Sequence, residues 1–318
     1  MPMQVVPLGE EHLQDAAALV SRRYQRLREQ VPSLPPRYAE TSILLPMLRD
    51  IAGAGPGVAA IQGGRLAGFL SGWLIPSFRG KRSAFSPEWA NAAELENSPR
   101  IYKAMYAHVS ASWVADGYTT HLIGLLANDC DGLEGWHWLG FGMLAADAVR
   151  DLQPAPGPDT HVEIRRAGLQ DLEQVKALHE ALAQYMAAPP IFLVRAHERD
   201  QSYYEEWLQN PDRTVWLAFQ DGDVVAYMRQ GPASEDASTI IYDDGTTSIT
   251  GAFTREGARG RGIATALLNR SLAWARAKGY ERCAVDFEPM NPLATRFWLR
   301  HFQPACYAVV RYIDERAT

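Results

Sequence analysis

Phe253-Thr254-Arg255-Glu256-Gly257-Ala258-Arg259-Gly260-Arg261-Gly262-Ile263-Ala264-Thr265 stands between a predicted strand, Ser248 to Phe253, and a predicted helix that runs to about Lys278, where Gly279 ends it. The glycines at 260 and 262 have no Cβ, so the backbone can bend tightly and turn its N–H groups towards an anion. The helix that follows adds unpaired amides and the positive end of its dipole, and Arg259 and Arg261 bring charge to the same place. The stretch reads as a diphosphate cradle in an α/β setting. A surface turn that ends in a helix cap also needs glycine, so the context has to decide. Walker A chemistry is excluded, because no Gly-Lys-Ser/Thr occurs here. A Rossmann loop has two points in its favour: the Gly260-x-Gly262 spacing, and Asp286, 24 residues after Gly262, near where a ribose-binding acid belongs. Against it, polar and small residues separate the strand from the glycines, and only 56 residues remain after Gly262 to build the rest of a sheet.

Outward from this loop, landmarks recur. Gly9-Glu10-Glu11-His12-Leu13 corresponds to Gly168-Leu169-Gln170-Asp171-Leu172, Ala60 to Arg65 to Ala218 to Asp223, and Phe141 to Phe302, at offsets of 159, 158 and 161 residues. Three landmarks at a nearly constant offset mark an internal repeat. The stretch Leu152-Gln153-Pro154-Ala155-Pro156-Gly157-Pro158-Asp159 rules out helix and separates the copies. The expected division is a first domain over 1–152, a linker over 153–160 and a second domain over 161–318. Each half is α/β, with strand, helices, a hairpin with a Gly-containing turn, then strand, helix, strand, helix, strand. In the second half the strands are placed at Val162–Arg165, Val215–Phe219, Val224–Gln230, Ser248–Phe253, Cys283–Phe287 and Tyr307–Ile313.

Composition narrows the function classes. Apolar residues at 47% and charged residues at 21% suit a soluble globular chain. A net charge of -6 gives no electrostatic reason to seek nucleic acid or an anionic membrane. Met1 to Leu8 lack the features of a secretory signal, and no apolar stretch approaches the roughly 20 residues of a membrane span, so a cytoplasmic protein is expected. Cys130, Cys283 and Cys306 are widely spaced and form no CxxC pair; they are expected to be core thiols. The eight histidines show no HxH or HExxH spacing, and no metal site is expected.

Arg259-Gly260-Arg261-Gly262-Ile263-Ala264 resembles the Q/R-x-x-G-x-G/A signature of the GCN5-related N-acetyltransferases (GNAT), with the strand before and the helix after both in place. Asn291-Pro292-Leu293-Ala294-Thr295-Arg296-Phe297-Trp298 is similar to that family's next segment, in which an Asn and an Ala precede an aromatic pair. The resemblance covers Val162 to Asp314 and, more faintly, Gln4 to Leu152. It implies two tandem GNAT-like domains, each a mixed, splayed β-sheet flanked by helices, with acetyl-coenzyme A wedged into the splay of the second. On that reading the backbone of Phe253 and Thr254 meets the pantetheine arm and acyl carbonyl. Arg259, Gly260, Arg261, Gly262, Ile263, Ala264 and Thr265 hold the diphosphate, Asn291 the pantetheine, and Phe297 and Trp298 the sulfur end.

The implied reaction moves an acetyl group to a primary amine of a small molecule within a ternary complex. It needs an uncharged amine, donors for the oxyanion and a proton for the departing thiolate. In the family a Tyr beside the aromatic pair often protonates the sulfur; here Phe297 and Trp298 occupy that neighbourhood. Tyr307 is the fallback acid, with core packing as its other reading. Glu288, just beyond the fifth strand, is the candidate base, with a solvated strand-end carboxylate as its other reading. Asp243 and Asp244 read as a turn or a docking point for a cation, and Tyr203 to Trp207 as helix core or acceptor pocket. In the first half the position of the glycine loop reads Asn91 to Pro99, with Ser98 as cap of a helix from Arg100. Without glycines, and with Glu94 and Glu96 present, this half is expected not to bind coenzyme A. The alternatives are a non-catalytic coenzyme A-binding regulatory module and a nucleotide-dependent oxidoreductase; the quaternary state is open between monomer and homodimer.

Overall fold

The computed structural model describes residues 2–158, 160–194, 199–233 and 238–317; Asp159, within the expected linker, lies outside them. The first half runs β1 (Met3–Pro7), α1 (Glu10–Gln30), α2 (Thr41–Ala54), β2 (Gly57–Gln62), β3 (Arg65–Ser71), β4 (Trp73–Phe78), β5 (Lys81–Ser86), β6 (Asn91–Ala93), α3 (Ser98–Ala115), β7 (Thr120–Leu126), α4 (Cys130–Trp138) and β8 (Gly142–Asp151). The second half runs β9 (Glu163–Arg166), α5 (Leu172–Ala187), α6 (Gln201–Gln209), β10 (Thr214–Gln220), β11 (Asp223–Pro232), β12 (Thr246–Thr254), α7 (Ile263–Ala277), β13 (Arg282–Phe287), α8 (Pro292–His301) and β14 (Gln303–Tyr312). The repeat is present as the same order of elements twice, except that β4, β5 and β6 stand in the first half where the second has β12 alone. Among the described residues no helix is long and apolar enough to cross a membrane.

The repeat is carried by local chemistry. Gly9 donates its N–H to His12 Nδ1 at 3.0 Å, and Gly168 its own to Asp171 Oδ2 at 2.9 Å, so the same device starts both first helices. Both hairpins close on two residues with positive φ, Gly63-Gly64 and Asp221-Gly222, whose twist matches that of the flanking strands.

The chain forms two compact units. The first comprises Met1–Asp147 with Ser238–Ile240 and Pro304–Thr318. Its strands lie in the orders β1-β2-β3-β6 and β4-β5-β7-β14-β8. The last strand of the sequence is therefore part of this unit: Cys306 to Tyr312 pair antiparallel with Leu126 to Thr120, and Val309 is fully buried among Tyr106, Trp113, Trp136 and Phe141. A second cluster packs α1 and α2 on β3 through Leu13, Val20, Leu44, Ile51 and Phe69. The splay comes from one interrupted strand. Ser83 to Ser86 pair parallel with Thr120 to Ile123, whereas Asn91 to Ala93 pair antiparallel with β3. Thus Asn91 to Ala93, expected within a loop, are strand, and the helix begins at Ser98 with Asn97 as its cap, at φ 67°.

The second unit comprises Ala148–Ala237 and Ile241–Gln303. Its strands lie in the order β13-β12-β11-β10-β9. Thr247 to Ile249 pair with β11's end on one side and Thr246 to Ile249 with Arg282 to Val285 on the other; Gly251 to Thr254 pair only with β11. The sheet opens there, immediately before the glycine loop. The core sets α5 and α6 on β10 and β11 through Leu178, Tyr204, Leu217 and Tyr227.

Candidate functional site

A cavity of about 510 Å³ occupies this opening. Tyr227 and Met228 of β11 and Ala252, Phe253 and Thr254 of β12 line one side; Leu182 and Tyr185 of α5 and the face of α8 from Asn291 to His301 line others. The remaining wall is Ala258 to Gly260, Gly262 and the first turn of α7. Gly260 and Gly262 have φ of +77° and +79°, the left-handed region that an L side chain enters at a cost of roughly 1–2 kcal/mol. Gly262 is the N-cap of α7, no side chain caps this end, and no acidic residue stands in its first turn, so the helix amides and dipole are left for a ligand.

The charge of the wall has one sign. Arg259, Arg296, Arg300 and His301 line the cavity, and among the described residues no carboxylate does, in a chain whose net charge is -6. Arg259 is held by its Nε, which donates to the Thr254 carbonyl at 3.0 Å, and by the Tyr185 ring, 5.0 Å below its guanidinium. His301 Nε2 lies 3.5 Å from Thr265 Oγ1, and burial, followed by the charges of Arg150 and Arg300, pushes its pKa below the ordinary histidine value. An anion entering this cavity meets amides, a helix dipole and cations without a repelling group.

Of the residues expected to hold a cofactor, Phe253, Thr254, Arg259, Gly260, Gly262, Ile263, Ala264, Thr265, Asn291, Phe297 and Trp298 line one cavity. Arg261 is exposed beside it, with Nη1 3.5 Å from Gln220 Oε1. Asn291 also caps α8: its Oδ1 accepts from the Ala294 amide and the Tyr185 hydroxyl, both at 3.2 Å. Glu288, half-buried after β13, does not line the cavity. Tyr307 lies on β14 in the first unit, opposite Leu125, and burial raises its phenol pKa. Asp243 is paired with Arg282, and its carbonyl accepts from the Thr246 amide, so it serves the start of β12. Tyr203 and Trp207 flank the Arg229 guanidinium, while Tyr204 is core and bonds His179 at 2.7 Å. Cys283 and Cys306 are buried, but Cys130 is exposed, because it opens α4 at the surface. The sequence reading missed Pro158, Tyr185, Arg296, Arg300 and His301; extending the Ala294–Phe297–Trp298 stripe by one helical step would have reached His301.

Residues 177–302 match the family model described as Acetyltransferase (GNAT) family. The chain carries a GNAT-family domain. The matched segment contains the cavity wall from α5 to α8 except Pro158. No curated protein matches the chain by sequence. A GCN5-related N-acetyltransferase from Sphaerobacter thermophilus is similar in structure, at TM-score 0.57 and 14% identity, over 98% of this chain and 95% of that one. A GCN5-related glucosamine N-acetyltransferase region of a fungal multi-domain GH3 β-N-acetylglucosaminidase is similar at TM-score 0.51 and 13% identity, over 97% of this chain and 38% of that one. Both likenesses extend beyond the GNAT domain to nearly the whole chain, and at these identities they concern the fold.

The corresponding opening in the first unit is filled. Arg23 of α1 donates from Nη1 to the Ala93 carbonyl at 2.9 Å and pairs through Nη2 with Asp129 at 3.0 Å. Tyr102 donates to the same carboxylate at 3.2 Å, and the remaining space is about 10 Å³, near that of a single water.

Proposed function

We propose that the chain is an acetyl-coenzyme A-dependent N-acetyltransferase that passes the acetyl group directly to a primary amine of a small molecule, with the GNAT domain as the catalytic part and the first unit as a structural partner. The observation that carries this is the opening of the sheet at Gly251 to Thr254, leading to a carboxylate-free, arginine-lined wall at the start of α7. The diphosphate sits on the amides of 260–265, and the pantetheine runs along Phe253 and Thr254 towards Phe297 and Trp298. The amine nitrogen attacks the thioester carbonyl carbon, the C–S bond breaks, the nitrogen gives up one proton and the departing thiolate takes one. Coenzyme A and the amide leave. Positioning of the two substrates supplies much of the rate.

Tyr185 is the phenol we assign to protonate the thiolate, since it lines the cavity and its hydroxyl is aimed by Asn291. Glu288 is the carboxylate to test as base, acting through water. No role is assigned to Tyr307. Tyr185→Phe should lower kcat roughly a hundredfold, as loss of a general acid does, while leaving coenzyme A affinity unchanged. Calorimetry with acetyl-coenzyme A, coenzyme A and NAD tests the cofactor, and thiol release over a panel of amines tests the reaction. Binding of NAD alone would end the proposal. A second reading, a coenzyme A-binding module without catalysis, is favoured by Trp298, which cannot supply a proton as a Tyr would. Tight binding with no turnover of any amine would establish it instead.

A further inference from the structure

The segment Leu152 to Pro158 has no regular structure and three prolines, yet it is fastened along α7. The Ala155 amide donates to Asn269 Oδ1 at 2.7 Å, Asn269 Nδ2 returns a bond to the Ala155 carbonyl at 3.0 Å, and Arg276 Nη1 donates to the Leu152 carbonyl at 3.0 Å. Further on, a Cβ on Gly157 would meet Thr265 Cγ2 at 2.6 Å, and one on Gly262 would meet Pro158 Cγ at 2.7 Å. The helix positions touched, 276, 269, 265 and 262, fall on one face of α7 and climb to its N-terminus. A connection that merely spanned two copies of a repeat would need none of these contacts.

We propose that this segment is a fixed wall of the cofactor site, with Pro158 closing the cavity beside Gly262 and Asn269 as the positioning residue that holds it there. The inference rests on the function proposed above. Pro158 both lines the cavity and abuts the left-handed glycine that caps α7, so it shields one side of the amides that meet the diphosphate. Excluding water there strengthens their attraction for an anion. Proline suits the task of a fixed wall, because its ring locks φ. The coupling runs both ways: a bound cofactor must in turn hold the segment against α7.

The test uses the full chain. Asn269→Ala removes both bonds to Ala155 and is expected to weaken coenzyme A binding about tenfold, the equivalent of one to two neutral hydrogen bonds, and to raise KM for acetyl-coenzyme A equally with kcat unchanged. Asn269→Asp keeps the acceptor and should recover part of the loss. Pro158→Ala, in an irregular and exposed stretch, should weaken binding without changing thermal stability. Exchange of the Ala155 amide should slow when coenzyme A is added to the wild type, and slow less in Asn269→Asp. Wild-type affinity in both Asn269→Ala and Pro158→Ala, with the wild type binding coenzyme A, would overturn this inference alone. No binding by the wild type would overturn the functional proposal and this inference with it.

Discussion

Gly262→Ala separates the two reasons for glycine in the loop. The added Cβ incurs the left-handed penalty, about 1–2 kcal/mol, and it meets Pro158 Cγ at 2.7 Å and the Pro158 carbonyl at 3.2 Å. Gly260→Ala incurs the same backbone penalty, at φ +77°, but nothing lies within 4 Å of its Cβ. If the loop keeps its shape, the strain appears as lost stability, a fall in Tm of roughly 2–8 °C. If the loop relaxes, the same free energy reappears as lost affinity of about 5- to 30-fold, since a ligand must restore the shape. Thermal unfolding together with calorimetry on coenzyme A captures both routes. Gly260→Ala should show the backbone penalty alone. Gly262→Ala should show more, and Pro158→Ala in the same chain should recover part of the excess, because it removes the Cγ. Equal behaviour of the two alanine variants, or no rescue, would refute the close approach of Pro158 as a determinant of the loop.

Three further outcomes concern the first unit. Arg23→Met leaves the Asp129 carboxylate buried without its cation, which should cost about 3–5 kcal/mol and be visible as early unfolding in urea. Burial lowers the pKa of His121 to about 4, while its ring bonds the Tyr106 hydroxyl at 2.8 Å and the Tyr118 carbonyl at 2.9 Å. The unfolded chain therefore binds the extra proton first, so this group's stabilisation is complete above pH ~6.5 and about 3 kcal/mol of it is lost as pH falls to about 4. His121→Gln should flatten that part of the Tm-against-pH curve; an unchanged curve would count against the neutral ring. Truncation after Gln303 removes β14 from between β7 and β8 and Val309 from the core, leaving β7 and β8 each with one exposed, unpaired edge. The shortened chain should lose cooperative unfolding of the first unit, and a wild-type melt would contradict the assigned strand order.

What was legible in the sequence was local. The glycine loop announces its conformation because only glycine accepts positive φ cheaply, and both Gly260 and Gly262 adopt it. The helix after it ends at Ala277, with Gly279 at φ +86°, as the terminal glycine signals. The two hairpins and the paired helix starts follow from turn and cap residues in the same way. What was not legible depended on tertiary pairing. The apolar run of Ala305 to Val310 specifies a buried strand but not its neighbours, so its place between β7 and β8 in the first unit leaves no mark in the sequence. Tyr185 and His301 escaped for a related reason: each sits on a helix whose apolar pattern reads as core, and only the opening of β12 turns that face into a cavity wall.

One pair of residues shows why the repeat kept a cavity in one copy and closed it in the other. Asp129 and Asn291 hold the same place, capping the short helices that follow β7 and β13 and accepting from an amide three residues on, Gly132 in one case and Ala294 in the other. A carboxylate sealed from water there requires a cation. Arg23 of α1 supplies it, and the same guanidinium takes the Ala93 carbonyl at the strand end, so satisfying the charge also fills the opening. A neutral amide makes no such demand. The Tyr185 hydroxyl suffices for Asn291, no cation has to enter from α5, and the arginines of the second copy line the cavity instead of pairing with a buried acid. The polarity of a single helix cap thus decides whether the neighbouring positive charge is consumed internally or remains available to an anion.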